Sequence, residues 1–599
     1  MKKTMKRLIT LCLCAIMALS VFAGCGGGGG STAGTKTVKF MFSGDAETIK
    51  MYSEVIQKFN ETVGAEQGIT VQGIPKSQDM EMLIDAQLSG TSGPDVLVVE
   101  DYYFKKSTKY FADMTGKIPQ EVQDSFYPDT ISRYHYNQQT TTSNLSDPLY
   151  GVPAYNDATV LYYNKSILEA VGVICISVEE KDLDAFNAGT GTDASGKTKA
   201  DYGIEEEIPA KGFFRSIAPF VPEEGELDGS SWNEPVSGEV MVFNDRIPMN
   251  WDEVEDLGMI CTEIYNPKSP SKYGYYTEWW FNYGWSVGGD CLEDMSGNGA
   301  WTFALPGDTP NYIVCEGKTY KGLYTGTEYA AGETLDLKDV LLAQPGDTIA
   351  CTTENKTTFY YTVNGAEAEV RDLSAEVSSG VLAELPSIRD AFSRFCYLAG
   401  IGGLNVCPYP SEFLSSSSTV YFTSGELAML VQQISSSALI EKSMGDAWGM
   451  APLPQYKVYT DPSDPMCDTV QVAGKTASHS RGVAMSINAK SKVMDEAYVF
   501  VNWFATEGQK TMAESGYLSA RKEDAQIMME KLPYDNNQVV VSAVESSKPG
   551  DWWYMPDRSW IDTWANPLNN EVRYGTLAFD EYLYSYVDES NMRLEEYKQ

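Results

Sequence analysis

The pattern of apolar and polar residues near the start of the chain predicts a sheet covered by helices. Residues 37–42 alternate as a strand does, and the apolar residues of 47–63 recur at the three- and four-residue spacing of one helix face. The pattern then repeats, with a strand at 69–74, a helix at 80–88 and a buried strand at 95–99. This order of elements is typical of a parallel sheet, so we predict an α/β fold.

Polar residues directly after two of these strands are candidates for ligand binding. In open parallel sheets, ligands bind beyond the carboxyl ends of the strands. Asp45 and Glu47 follow the first predicted strand, and Asp101 and Tyr102 follow the third. We therefore predict that these side chains contact a ligand. Capping of the next helix is the alternative for each, and Asp45 is well placed for it.

The first residues of the chain have a pattern of their own. Basic residues are followed by an apolar run over 8–23 and by small residues just before Cys25, which predicts a secretory signal peptide over residues 1–24. An uncleaved anchor is the alternative, but about sixteen apolar residues are too few to span a membrane. A cysteine in this position resembles the bacterial lipobox. The resemblance implies a lipid on Cys25, a glycine-rich linker over 25–36, and an extracytoplasmic protein anchored to the cell membrane.

Composition narrows the classes of partner and of chemistry. The net charge of −38 repels nucleic acid and anionic membrane surfaces, and it favours a neutral or cationic ligand. His135 and His479 are the two histidines, so we expect neither a histidine-based metal site nor a catalytic triad, and no cofactor. The cysteines after Cys25 are scattered without CxxC spacing. A Cys315–Cys351 disulfide and free thiols both stay open.

Seven pieces of the sequence carry a resemblance to a known family. They are residues 150–153 with 161–165 and 170–172, 250–253, 422–429, 448–454, 482–487, 497–504 with 507–509, and 516–521. In this order they resemble the family 1 extracellular solute-binding proteins, the maltose-binding-protein-like receptors of ABC importers. The resemblance implies two lobes of the type II periplasmic-binding fold, a monomer that closes on its ligand, and no catalysis. It also implies an ABC permease as partner.

The same resemblance sets the domain boundaries that we predict. Two segments fall outside the family pattern, and the second of them has short Thr/Tyr/Val runs between turns, which predicts a small β-rich insertion. Surface elaboration is the simplest interpretation of both. The predicted units are an N-terminal lobe of 37–155 plus 479–530, a C-terminal lobe of 156–478 plus 531–599, and insertions at about 174–245 and 305–380.

Aromatic clusters point to a carbohydrate ligand. Sugars have apolar faces edged by hydroxyls, which rings can cover while polar side chains bind the hydroxyls. We expect one of Trp279, Trp280 and Trp285 to line the cleft, and we favour Trp553 as a stacking ring in a second cluster; core packing is the alternative. The remaining candidates are Trp552 and Arg558 in the second cluster, Tyr155, Asn156 and Asp157 at the predicted hinge, and Gln432 and Gln433 after a second-lobe strand.

The sequence thus predicts a membrane-tethered binding protein that delivers a sugar, most plausibly an oligosaccharide, to an ABC permease. A secreted carbohydrate-active enzyme is the main alternative. It would need paired carboxylates, but among 83 Asp and Glu residues such pairs are inevitable, so their abundance does not favour an enzyme. A receptor for a peptide or polyamine, or one that serves a sensor, also stays open.

Overall fold

A computed structural model describes most of the chain. The predictions for residues 1–24, Cys25, Asp45, Trp552 and Arg558 concern residues outside this description. The described residues are 35–44, 46–76, 80–90, 92–140, 142–217, 238–294, 301–354, 358–400, 403–409, 412, 417–550, 553 and 559–596.

Twenty-three strands are present in the described residues, and we number them in chain order. They are β1 Lys36–Ser43, β2 Ile69–Lys76, β3 Val96–Glu100, β4 Val152–Asn164, β5 Ile174–Ile176, β6 Phe213–Arg215, β7 Met241–Asn244, β8 Tyr273–Thr277, β9 Leu292–Asp294, β10 Trp301–Phe303, β11 Asn311–Val314, β12 Thr319–Lys321, β13 Glu328–Ala330, β14 Ile349–Glu354, β15 Thr358–Val363, β16 Ala366–Glu367, β17 Leu382–Leu385, β18 Leu427–Gln433, β19 Trp448–Ala451, β20 Lys457–Tyr459, β21 Val470–Ala473, β22 Ser478–Ile487 and β23 Ser547–Pro549.

The α-helices of the same residues are numbered in the same way. They are α1 Ala46–Glu61, α2 Val63–Gln67, α3 Met80–Leu88, α4 Asp101–Ser107, α5 Gln120–Asp124, α6 Pro128–Ile131, α7 Lys165–Ala170, α8 Leu183–Asn187, α9 Trp251–Ile260, α10 Phe281–Ser286, α11 Leu337–Val340, α12 Ser374–Ser378, α13 Ile388–Tyr397, α14 Ser418–Ser424, α15 Ser437–Met444, α16 Met494–Trp503, α17 Gln509–Glu514, α18 Ala525–Lys531, α19 Asn537–Glu545, α20 Ser559–Pro567 and α21 Phe579–Glu596.

One mixed sheet runs through the whole molecule in the order β2-β1-β3-β22-β4-β18-β8, with β19 also paired to β4 and β23 to β22. The five elements predicted at the start of the chain are confirmed as β1, α1, β2, α3 and β3. β1 is parallel to β2 and β3, as the prediction requires. The thirteen-residue β4 joins the two halves, because its first part pairs with β22 and its last part with β18 and β19.

Each half of the sheet has its own hydrophobic core, which confirms the predicted two-lobed α/β fold. The first core gathers residues from 38–154 and 483–520, together with Trp553. The second gathers residues mainly from 158–477 and 528–594. The predicted lobe boundaries themselves stay a prediction.

The two insertions form small cores beside the second lobe. The segment around 174–245 includes the sheet β5-β7-β6 and buries residues such as Phe186 and Phe214. The segment around 305–380 contains β11 to β16, so the predicted β-rich insertion is confirmed, and it buries residues such as Tyr329 and Leu373. All eight cysteines from Cys175 onward are free thiols. Within the described residues, no helix combines the length and the apolar character needed to cross a membrane.

Candidate ligand-binding cleft

Two polar edges of the sheet face each other across β4. The carboxyl end of β3, Glu100, lies beside Val483 of β22, which lies beside Tyr155 of β4. On the other side, the carboxyl end of β18, Gln433, pairs with Thr159 of β4. The two levels are about 13 Å apart along β4, at roughly 3.3 Å per residue. Because ligands bind beyond the carboxyl ends of strands, the two edges define a cleft between the lobes.

One face of the strands beneath this cleft carries the exposed side chain of Arg481, and the other face is buried. Paired residues point to the same face, and neighbours along a strand alternate. Arg481 and its partner Asp157 therefore share a face with Tyr155, and the Arg481 side chain is 43% exposed. Gly482 and Asn156 point the other way, where Asn156 is fully buried. We call the face of Arg481 the cleft floor. Its residues are Glu100, Tyr155, Asp157, His479 and Arg481, of which Asp157 and His479 are buried.

Arg481 joins the acidic groups of the cleft floor. Its guanidinium binds both carboxylate oxygens of Glu100, with Nε donating to Oε2 over 3.1 Å. Asp157 lies opposite on β4, and its Oδ1 accepts a hydrogen bond from the Ser435 backbone N–H over 3.0 Å. Burial alone would lower the pKa of Arg481, but Glu100, Tyr155 and Asp157 raise it. The floor therefore holds a permanent cation between two carboxyl groups.

The Tyr155 hydroxyl and the Asp157 carboxyl of the floor hold their protons more tightly than the same groups do in water. Burial raises the pKa of Tyr155 well above its usual value, although Arg481 opposes the shift. The Tyr155 hydroxyl is therefore a hydrogen-bond donor at neutral pH. Burial also raises the pKa of Asp157, against the opposing effects of Ser435 and Arg481. Donors and acceptors thus alternate within one small surface, as recognition of neutral hydroxyl groups requires.

The second-lobe edge of the cleft carries both predicted glutamines. Gln432 donates from Nε2 to Ser418 Oγ over 3.3 Å, and its Oε1 accepts from the Gln433 N–H over 3.0 Å. Both side chains are half-buried. β8 runs parallel beside β18, with Thr277 next to Val431, so the residues after Thr277 reach the same edge.

A buried arginine fixes the end of β8 at this edge. Arg573 is fully buried, and its Nη2 donates to the Thr277 carbonyl over 3.3 Å. Nη1 donates to the Glu278 carbonyl over 3.4 Å and to Asn569 Oδ1 over 3.1 Å. The guanidinium also stacks on the Phe395 ring, 4.4 Å from its centre. Arg573 therefore sets the position of the chain that leads into Trp279.

Two predicted ligand-binding residues lie behind the cleft floor. Asp101 Oδ2 accepts from the Gly482 N–H over 2.8 Å and lies 3.7 Å from Arg133 Nη1, and burial raises its pKa to about 6. Asn156 donates to Ser547 Oγ over 2.7 Å. A Cβ atom on Gly482 would lie only 2.8 Å from Arg133 Nη1, so this close packing needs glycine. Strand alternation turns Asn156 away from the cleft, and Asp101, the first residue of α4, is held on the same buried side by its contact with Gly482.

Of the three tryptophans predicted after β8, Trp279 keeps a partly exposed side chain. Its ring stacks on Phe281 at 5.9 Å between centres. Trp280 is 1% exposed and packs on Trp564 in the second core. Trp285 is 3% exposed, and its Nε1 donates to Asp290 Oδ2 over 2.7 Å. A ring must be exposed to stack on a ligand, so Trp279 is the candidate that this structure supports.

The favoured ring of the second aromatic cluster is buried. Trp553 is 2% exposed and lies in the first core, 5.7 Å from Phe104 and 5.9 Å from Tyr134 between ring centres. The chain after β23 carries it into the first lobe, so the exposure that a stacking ring needs is absent there. Glu47 is exposed in the first turn of α1. Tyr102 lies in α4, but its side chain is outside the described set.

The histidines are poorly placed for catalysis. The His479 ring stacks on Phe281 at 4.7 Å between centres, and burial, together with the charge of Arg133, lowers its pKa to about 3. His135 is buried, and its Nδ1 lies 2.7 Å from the Asp147 carbonyl oxygen. In the part of the chain that the structure describes, no three His, Cys, Asp or Glu side chains are grouped to hold a metal ion.

The low pKa of His479 has a consequence for stability. At acidic pH the unfolded chain binds a proton at this residue and the folded chain does not, so stability falls as pH drops below about 6.5. Between pH 7 and 4.5, the protein should lose about 2–3 kcal/mol more unfolding free energy than the His479→Gln variant. Denaturant unfolding of both proteins at each pH measures this difference. Parallel pH profiles for the two proteins would contradict the prediction.

Arg481, Glu100 and Ser435 are site residues that sequence reasoning missed. Arg481 lies just after the predicted lobe boundary at residue 479, and Glu100 directly follows the predicted strand 95–99. These two positions were the only features of the sequence that could have pointed to Arg481 and Glu100 as site residues. Which of them faces the cleft depends on the pairing of β3, β22 and β4, which residue patterns do not reveal.

Comparison with solved structures shows the same fold elsewhere. An ABC substrate-binding protein from Listeria monocytogenes, in complex with cycloalternan, is 12% identical with a TM-score of 0.50, over 94% of this chain and 99% of that one. The GacH receptor of Streptomyces glaucescens is 15% identical with a TM-score of 0.48, over 94% and 99%. A cyclic α-maltosyl-1,6-maltose binding protein from Arthrobacter globiformis is 14% identical with a TM-score of 0.49, over 94% and 100%. The comparison with the Listeria protein, together with the two cores on one sheet, shows a two-lobed fold.

Sequence comparison supplies the family. Residues 46–202, which run from α1 through β2, β3 and β4 to just beyond α8, match the profile described as bacterial extracellular solute-binding protein. A search of curated proteins finds no match. The matched segment and the fold make the chain similar to the bacterial extracellular solute-binding proteins.

Proposed function

We propose that the protein captures a carbohydrate, an oligosaccharide, in the cleft between its lobes and delivers it to the permease of an ABC importer. The observation that carries this proposal is the cleft floor. Arg481, Glu100, Asp157 and Tyr155 present donors and acceptors side by side. The partly exposed ring of Trp279 follows the β8 edge. Hydroxyl-binding groups beside a ring match the two kinds of surface on a sugar.

The fold supports the same proposal. The Listeria protein of this fold holds cycloalternan, and its printed description is that of an ABC substrate-binding protein. Two lobes joined by β4 and β22 can close around a ligand by bending at these strands. Closure that depends on the ligand gives a permease a signal to recognise.

We further propose that the protein acts without catalysis, outside the cytoplasm and as a monomer, tethered through a lipid on Cys25. A hydrolase needs one carboxyl group free to act as an acid and another as a nucleophile or base. Glu100 is bound by Arg481, and Asp157 accepts the Ser435 N–H, so both floor carboxyl groups already have protein partners. The low pKa of His479 removes it as a base at neutral pH.

A thermal-shift screen of neutral and acidic oligosaccharides, peptides and polyamines tests the function. A ligand at 100 times its Kd should stabilise the protein by about 2.7 kcal/mol. We expect a saccharide to give the largest rise in melting temperature and to be recovered intact after incubation. A larger rise with a polyamine or peptide would replace the proposed ligand class. Turnover of the saccharide at catalytic rates would replace the receptor by an enzyme.

Substitutions of the adjacent residues Trp279 and Trp280 should affect different properties, ligand affinity in the first case and stability in the second. Trp279→Ala should weaken saccharide binding by about 1 kcal/mol or more, because a stacked ring contributes roughly that much beyond its burial. Trp280→Ala should instead lower the free energy of unfolding by about 3–5 kcal/mol, because it removes a large buried side chain. Titration calorimetry and denaturant unfolding measure the two effects. Unchanged affinity in Trp279→Ala would remove Trp279 from the site.

A further inference from the structure

The β-rich insertion touches the cleft through Lys475. The Lys475 Nζ donates to Oγ1 of Thr334, a residue of the insertion between β13 and α11, over 2.9 Å. The backbone N–H of Lys475 donates to the Ser286 carbonyl over 2.8 Å, at the end of α10. The first residue of α10, Phe281, covers His479 of the cleft floor. Lys475 therefore lies between the insertion and the floor.

A second lysine reaches this place from the edge of the floor. Lys548 of β23 pairs in parallel with His479, so its side chain points to the same face as that residue. It is exposed. Burial, together with the nearby charge of Lys548, lowers the pKa of Lys475 to about 8, while Glu333 acts in the opposite direction. Two cationic groups therefore lie close enough to repel each other.

The amines of Lys475 and Lys548 lack the kind of ion-pair partner that Arg481 of the cleft floor has. Arg481 binds Glu100, whereas within the described residues neither Lys475 nor Lys548 has a carboxylate at ion-pair distance. Two like charges with no carboxylate in ion-pair contact repel each other, and an anion between them would relieve the repulsion. The arrangement contrasts with the rest of the chain, whose net charge is −38.

A cavity lies beyond Thr334, the residue that Lys475 contacts, and neither lysine lines it directly. The cavity, of about 330 Å³, lies on the insertion side of Thr334, between the insertion and the end of α10. Its lining includes the hydroxyl and amide side chains of Thr309, Asn311, Thr327 and Thr334. Such groups bind sugar hydroxyls, and the volume is that of a small-ligand pocket.

We propose that Lys475 and Lys548 form a subsite for an anionic group, a carboxylate or a sulfate ester, on an acidic oligosaccharide. The insertion around 305–380 positions Lys475 through Thr334. This inference rests on the proposed function and narrows its ligand class, because a local positive site within an acidic protein selects saccharides that carry negative charge. It also gives the insertion a role in recognition.

Paired ligands test the subsite in the full-length chain, purified in detergent. The panel consists of uronic-acid oligosaccharides, their carboxyl-reduced neutral counterparts, sulfated oligosaccharides, and inorganic sulfate alone. We expect an acidic member to bind at least tenfold more tightly than its neutral counterpart. The Lys475→Gln/Lys548→Gln double variant should lose that preference while binding the neutral counterpart as before. Thr334→Val should lose part of it.

Lys321→Gln is the matched control, because Lys321 lies in the same insertion but pairs with Glu328 at its surface. Its preference for acidic ligands should equal that of the wild type. Equal binding of acidic and neutral counterparts, or a preference that survives in the double variant, would overturn the subsite while leaving the sugar receptor intact. Sulfate alone bound as tightly as a sulfated sugar would show an ion site unrelated to saccharides. Binding of peptides or polyamines in place of every saccharide would remove the proposed function as well.

Discussion

Replacing Arg481 with methionine is expected to weaken ligand binding roughly 30- to 100-fold. The change removes a charged donor from the centre of the cleft floor, and hydrogen bonds to charged groups contribute about 2–3 kcal/mol. It also leaves Glu100 and Asp157 facing the ligand without their shared cation. Titration calorimetry with the saccharide found in the screen measures the loss.

Arg394→Met provides the control for this experiment. Arg394 also binds two carboxylates, Asp252 and Glu255, but on α9 and α13 of the second lobe rather than in the cleft. Its affinity for the saccharide should match that of the wild type. Equal affinities in all three proteins would show that Arg481 makes no contact with the ligand and would place the binding site elsewhere.

Arg573→Met is expected to lower the free energy of unfolding by about 3–5 kcal/mol. The substitution leaves the Thr277 and Glu278 carbonyls and Asn569 without a buried donor, and it removes a stacked group from Phe395. Each unsatisfied buried acceptor costs about 1–3 kcal/mol. Denaturant unfolding, followed by tryptophan fluorescence of the second lobe, measures the change.

The matched control is Arg593→Met. Arg593 lies on α21, is 43% exposed and pairs with Glu589 one turn away. Exposed pairs of this kind contribute at most about 1 kcal/mol, so this variant should unfold close to the wild type. Unfolding of Arg573→Met and Arg593→Met at the same denaturant concentration would contradict the prediction. It would show that the hydrogen bonds from Arg573 to the two carbonyls do not stabilise the end of β8.

The pattern of apolar and polar residues correctly predicted those strands and helices that local interactions determine. The spacing of apolar residues gave β1, α1, β2, α3 and β3 within a few positions, because each of these elements buries one face. Short Thr/Tyr/Val runs between turns likewise predicted the β-rich insertion. Gln432 and Gln433 were expected at a second-lobe strand end, and they lie at the end of β18.

Residues of the cleft were harder to predict, because pairing between distant strands decides which side chains face it. Asp101 follows a predicted strand and Arg481 lies beside a predicted lobe boundary, yet Asp101 lies behind the floor and Arg481 lies on it. Trp553 was expected to be exposed because Trp552 is its neighbour. Its burial depends on the chain after β23 turning into the first lobe, and no local pattern records that path.

The position of β22 in the sheet also affects how the chain can fold. This strand pairs with β3 on one side and β4 on the other, and its Ser478 hydrogen-bonds to Thr159, 319 positions earlier. A nascent chain therefore exposes an unpaired edge of β3 until about four-fifths of the protein has been made. Contacts of such long range slow folding and lengthen the time in which open strand edges can aggregate. We proposed above that the lobes bend at β22, and the late synthesis of this same strand delays the folding of both lobes.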